Sequence, residues 1–158
     1  MKKDANPKDP GRLGSTGLSC LVGYQLRCVQ SIAVQTFTEL FAAESIAYGQ
    51  YSTFVTISRS EGTNQKALAQ TLGVDQSTLI PTLDHLESHG WIVRTRDPQD
   101  RRSTLLTVTA AGKAKLRRLE VLIRKHDAAL TKSLSAAETN SLLNMLHRIV
   151  ASFDRSSL

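Results

Sequence analysis

Residues 65–96 read QKALAQTLGVDQSTLIPTLDHLESHGWIVRTR, and this stretch decides the fold. Thr63 or Asn64 can cap a short helix, Gln65–Leu72, that turns Ala67, Leu68 and Leu72 inward. Gly73-Val74 makes a tight turn, and Asp75 caps a second helix from Gln76 to about His89. Leu79, Leu83 and Leu86 fall at i, i+4 and i+7, the spacing of one buried stripe, and Gly90 closes the helix. Two short amphipathic helices joined by a glycine turn predict a helix-turn-helix. The period then changes. Trp91 to Arg96 is β-prone, Asp97 to Arg102 is a charged loop, and Ser103 to Thr109 is β-prone again. A hairpin with a charged tip directly after a helix-turn-helix is a winged helix.

Working outward, Ser19 is expected to cap a long helix running to about Glu44, with Leu21, Tyr24, Cys28, Ile32, Phe37, Leu40 and Phe41 at three- and four-residue steps. A second helix, residues 50–60, carries Tyr51, Phe54, Val55 and Ile57. Beyond the hairpin, Thr109 caps a long helix over about 110–133. Ser135 and Glu138 form a capping box that starts a last helix running to about Phe153. The expected class is mainly α with a small β-hairpin wing, a winged helix-turn-helix domain plus long N- and C-terminal dimerisation helices. The expected division is a flexible tail at 1–17, an N-terminal dimerisation helix at 18–48, the DNA-binding region at 49–112, and C-terminal dimerisation helices at 113–158. A small sheet cannot bury the stripes of two long terminal helices by itself, so a homodimer is expected.

Composition agrees with this outline. The chain of 158 residues is 41% hydrophobic and 22% charged, a globular balance. Twenty Lys+Arg against fourteen Asp+Glu give a net charge of +6, which favours an anionic partner such as nucleic acid or a lipid surface. No apolar run reaches the ~18 residues of a membrane span, and the first seventeen residues lack the apolar core of a signal peptide. Cys20 and Cys28 make no disulfide framework, so a cytoplasmic protein is expected. There is no Gly-rich phosphate loop, no G-x-S-x-G elbow and no dense His/Asp/Glu cluster. These absences point to a binding protein rather than an enzyme, with no cofactor.

The run from Gln65 to Val74, continued by Leu83-Asp84-His85-Leu86-Glu87 and Gly90-Trp91-Ile92-Val93-Arg94, resembles the MarR family of bacterial transcription regulators. Asp97-Pro98-Gln99-Asp100-Arg101-Arg102-Ser103, then Leu106-Thr107-Val108-Thr109 and Gly112, is similar to that family's wing. The resemblance implies a dimer that reads pseudo-palindromic double-stranded DNA. Each copy would place one recognition helix in a major groove and one wing in a flanking minor groove, with half-sites roughly 10 bp apart. It further implies a repressor released by a small aromatic, carboxylate or acyl-coenzyme A effector. The chain departs from the family at Ile80 and Pro81, where many members carry Thr-Arg. Pro81 removes a backbone donor, so a kink or slight reorientation is expected.

On the recognition helix the candidate DNA-binding residues are Gln76, Ser77, Thr78, Ile80, Pro81, Thr82 and His85. Gln can pair with adenine, Ser and Thr with phosphate or base, and apolar groups with the thymine methyl. On the wing they are Arg94, Arg96, Asp100, Arg101 and Arg102. Arg102 is the candidate for minor-groove insertion, held by Asp100 as in the family pattern, while Arg94, Arg96 and Arg101 suit phosphate. His85 and His89 stand at i and i+4 but not as H-E-x-x-H. Phosphate contact and helix C-terminal charge are their simpler uses, and no metal site is assigned. The resemblance places an effector pocket where the first helix meets the second, lined by Tyr24, Arg27, Gln30, Phe37 and Tyr51, with Arg27 facing a carboxylate or phosphate. Two alternatives stay open: a redox-responsive regulator acting through Cys20 and Cys28, and a non-specific architectural winged-helix protein.

Overall fold

The computed structural model describes residues 17–98 and 103–153. Its order is α1 (Val22–Leu40), α2 (Tyr48–Arg59), β1 (Thr63–Asn64), α3 (Gln65–Leu72), α4 (Gln76–Ser88), β2 (Ile92–Arg96), β3 (Thr104–Val108), α5 (Ala110–Leu130) and α6 (Ala136–Ser152). The sheet has three strands in the order β1-β3-β2, all antiparallel. β1 is an addition to the expected hairpin. The two residues before α3 pair Thr63 with Leu106 and Asn64 with Leu105, while the Asn64 side chain accepts a hydrogen bond from the Ala67 N–H. One short segment thus ties the wing to the helix-turn-helix and caps α3.

The core is one cluster built by α2, α3, α4 and the sheet together with Phe37 of α1 and Leu119 of α5, with Phe54, Ile57, Leu68, Leu83, Leu86, Ile92 and Leu106 excluded from solvent. Leu79, Leu83 and Leu86 are all buried, as their spacing predicts. Burying each such leucine contributes roughly 1.5–3 kcal/mol, enough for three of them to hold α4 against the core. Phe54 stacks on Trp91 at 5.7 Å, and Phe37 stacks on Phe41 at 3.7 Å under α1.

The first helix is shorter than expected at both ends. Leu18–Cys20 is a 3-10 turn, and Leu21 rather than Ser19 occupies the N-cap position. The Ser19 carbonyl instead accepts a hydrogen bond from Gln25 Nε2 at 2.7 Å. At the other end α1 stops at Leu40, and Ala42–Glu44 tightens into a second 3-10 turn. That turn swings Glu44 beneath α5, where Lys115 Nζ lies 2.8 Å and Arg118 Nη2 2.8 Å from its carboxylate. The second helix starts two residues early because Gln50 sits inside its first turn and accepts from the Ala47 N–H. Asp75 has N-cap backbone geometry but makes no side-chain capping bond. Thr109 and Ser135 do cap α5 and α6, accepting from the N–H groups of Gly112 and Glu138.

Lys115, and then Arg118, hold the Glu44 carboxyl below its ordinary pKa, against the opposing effect of its burial. A carboxyl whose pKa is lowered by folding adds stability that is complete above its unfolded value and lost as pH falls through its folded value. The stability advantage of the wild type over Glu44→Gln is therefore expected at neutral pH and should shrink on acidification below the usual carboxylate range. Denaturant unfolding of both proteins across pH 2.5–7, on the order of six pH points, checks it; parallel curves would refute the assignment.

Candidate functional site

The outward edge of α4 follows from its inward one. With the leucine stripe buried, Gln76, Ser77, Thr78, Ile80 and Pro81 are exposed and Thr82 is half-buried. α3 steadies the start of this edge, since Gln65 Nε2 donates to the Gln76 carbonyl at 2.9 Å. The helix runs from Gln76 to Ser88 with Pro81 inside it. Proline's missing N–H leaves the Ser77 carbonyl without its in-helix donor, adding an acceptor to a polar edge. No arginine stands on this edge.

Two candidate DNA contacts have other partners. Arg94 was expected to face phosphate, but its guanidinium pairs with Asp84 and lies 3.3 Å from the Glu87 carboxylate. Because β2 runs alongside the second half of α4, its side chain is drawn to the acidic residues of the helix before any external anion. His85 is half-buried, and its Nε2 lies 2.7 Å from the Ser45 carbonyl, so the ring must donate there. His89 Nδ1 lies 2.8 Å from the His85 carbonyl, and the two rings are 4.3 Å apart. Among the described residues no group of three or more His, Cys, Asp or Glu is arranged to hold a metal ion. Arg96 is exposed at the end of β2. Asp100, Arg101 and Arg102 lie outside the described residues.

The five effector candidates fall in two places: Phe37 and Tyr51 meet, with ring centroids 5.8 Å apart, while Tyr24, Arg27 and Gln30 stand earlier on α1. Phe37 is wholly buried and packs edge-on against Tyr48 and His126, so it is core. Tyr24, Arg27 and Gln30 lie on the opposite half of α1, with the Arg27 guanidinium 5.0 Å from the Tyr24 ring centroid. Both cysteines are free thiols, Cys20 exposed and Cys28 half-buried. Tyr51 borders a cavity. It opens a cleft of about 380 Å³ between α2 and α5, shared with Arg59, Leu116, Arg117, Ile123 and Arg124. Arg124 is paired with Glu120 at 2.9 Å. Burial raises the Tyr51 pKa above its ordinary value, so its hydroxyl remains a donor through neutral pH.

Sequence reasoning missed this cleft, because its arginines come from the last turn of one helix and the middle of another. Their shared orientation depends on how α2 and α5 cross. Of the four basic residues early in α5, Lys115 and Arg118 hold Glu44, Lys113 lies 3.4 Å from Glu61, and Arg117 lines the cleft.

A family model described as the MarR family matches residues 46–104, from just before α2 to the start of β3. The chain is 33% identical over 129 residues to a candidate transcriptional regulatory protein for the hcr operon of Thauera aromatica, covering 81% of this chain and 78% of that protein. Among solved structures it is similar to the transcriptional repressor CouR bound to a 23-mer DNA duplex. That match has a TM-score of 0.82 and 35% identity, and covers 88% of this chain and 97% of the other. CouR bound to p-coumaroyl-CoA matches with a TM-score of 0.79 and 32% identity, covering 90% and 100%.

Proposed function

The chain belongs to the MarR family of transcriptional regulators, and from that premise we propose that it is a sequence-specific repressor, a homodimer on a pseudo-palindromic operator, released by an aromatic acid or its coenzyme A thioester. The observation that carries the reading is α4, which is anchored by three buried leucines and leaves Gln76, Ser77, Thr78 and Ile80 exposed and Thr82 half-buried around the rest of its circumference. Specificity then comes from amide and hydroxyl contacts and thymine methyl groups rather than from an arginine on guanine. The unpartnered apolar faces of α1 and α6 support the dimer.

The effector reading keeps Tyr51 of the five expected residues and centres on the α2–α5 cleft that it borders. Its leucine and isoleucine suit an apolar ring, the Tyr51 hydroxyl suits a phenol or carbonyl, and its guanidinium groups suit a carboxylate or phosphates. A ligand favouring a state in which the two recognition helices are misplaced lowers operator affinity by that difference in its own affinity.

Selection of bound genomic fragments by the purified protein at near-physiological salt tests the main proposal. An enriched inverted repeat with half-sites about one turn, roughly 10 bp, apart is the expected result. Uniform recovery with a steep salt slope would overturn it in favour of architectural binding.

Two substitutions refine the interface. Arg102→Ala is expected to weaken operator binding by roughly 1–3 kcal/mol, the worth of a good groove contact. Unchanged affinity in a folded variant would remove the wing tip from the interface. Arg94→Met should act differently, because it uncovers Asp84 and Glu87 beside the recognition edge. Each close carboxylate–phosphate pair then costs on the order of 1 kcal/mol in high dielectric. Binding to specific and random duplex should weaken alike, with the loss fading as salt rises. A loss confined to the operator would instead make Arg94 a base reader.

A further inference from the structure

We propose that His85 is a positioning residue rather than a DNA contact, holding the end of the recognition helix to the joint at Glu44–Ser45 that α5 grips from the other side. The joint has three marks of a fixed point. Ser45 has φ 53°, and among the described residues it is the one non-glycine with positive φ. An L-residue stays in that region only where its surroundings over-determine it. On the α5 side, Glu44 is 5% exposed and takes Lys115 Nζ on both its carboxylate and its own backbone carbonyl, each at 2.8 Å, and Arg118 Nε at 3.0 Å. On the α4 side, the next residue's carbonyl accepts the His85 Nε2–H across 40 positions of sequence.

The two sides close into a ring of contacts. Lys115 Nζ sits 4.7 Å from the Trp91 ring centroid, and the His85 ring is 6.1 Å from the same indole. Lys115 and Arg118 occupy the same turn of α5 as Leu116 and Arg117, which line the α2–α5 cleft. A shift of that turn is therefore delivered to Glu44, through Ser45 to His85, and so to the angle at which α4 presents Gln76 and Ser77. Its effect on operator choice rests on the reading of α4 as the DNA-recognition helix. Its effect on the order of α4 in the free protein does not.

The test uses the full-length protein with His85→Phe, His85→Gln and Glu44→Gln. Phenylalanine keeps the ring and removes the donor, and glutamine supplies an amide N–H near the position of Nε2. Hydrogen exchange of the α4 amides in the free protein should quicken about two- to tenfold in His85→Phe, the factor one net hydrogen bond represents, and return towards wild type in His85→Gln. The side-chain hydrogen bonds and ion pairs of Glu44 among the described residues go to α5 and not to α4, so faster α4 exchange in Glu44→Gln is expected if the joint transmits. The same variants should lower the ratio of operator to random-duplex affinity at fixed salt. The double variant should be little worse than the more affected single, because both act through one joint. Unchanged α4 exchange in Glu44→Gln, failure of glutamine to rescue, or multiplying effects in the double variant would each overturn the proposal. Should the wild type prefer no duplex while exchange behaves as expected, the repressor reading fails and the positioning role stands.

Discussion

Replacing Val29 and Ile149 together by aspartate is expected to leave the winged-helix core folded, reduce the protein to single chains, and lower operator affinity by roughly two to four orders of magnitude. Both side chains are exposed in one chain, Val29 at 55% and Ile149 at 40%. They belong to apolar faces that include Val22, Leu26 and Ile32 on α1 and Leu142, Leu143 and Met145 on α6. No residue of α6 is buried by its own chain. An apolar helix face left in water is an association surface, and a second copy covers it at no cost in new sequence. Aspartate there must be desolvated without a partner, which the dimer cannot tolerate and the isolated chain can. The loss of DNA affinity follows from linkage of two half-sites rather than from any lost contact to DNA. Light scattering gives the mass and titration of the operator duplex gives the affinity. A variant that remains dimeric would place the interface elsewhere, and a monomer with wild-type operator affinity would refute two-site binding.

Gly112→Ala is expected to lower the unfolding temperature by roughly 4–8 °C. Alanine is ordinarily the better helix former by about 1 kcal/mol, so a stabilising sign would be expected in an open helix. Here an added Cβ would lie 2.1 Å from the Trp91 carbonyl oxygen and 2.8 Å from Val108 Cγ1. Overpacking against backbone costs about 3 kcal/mol, the upper part of the usual range, which leaves about 2 kcal/mol of net loss. The same carbonyl accepts the Thr109 N–H at 3.0 Å, so it is held in place and cannot retreat. Because this contact seats α5 on the sheet, the variant should also lose DNA affinity at temperatures well below its melting point. A thermal scan decides the sign, and an unchanged or raised midpoint would show that the first turn of α5 yields.

Much of this fold was legible because it is written in local periodicity. The leucines of α4 repeat at helical spacing, and Asn64, Thr109 and Ser135 stand at their caps. Glycines end α3 and follow α4 where positive φ is needed. The candidate site was less legible. Arg94 and Asp84 are ten residues apart on different elements, and nothing local announces that they pair. The resemblance implies an effector pocket lined by five residues of α1 and α2, but packing draws Phe37 into the core and leaves Tyr24 and Arg27 on the far half of α1.

By itself, the sequence determined the winged helix-turn-helix, the caps of α3, α5 and α6, and a net charge suited to nucleic acid. Those properties depend on neighbours within a turn or two of chain, or on totals, and both can be read without a third dimension. Tertiary structure alone decided that Glu44 would be buried under Lys115 and Arg118, that His85 would face Ser45, and that a cleft would open between α2 and α5. Each of those depends on the crossing of helices brought together from 40 or more positions apart in the sequence, as the His85 to Ser45 and Lys115 to Glu44 contacts are. Side-chain direction at such crossings is set by the packing of the whole core, which no single segment encodes.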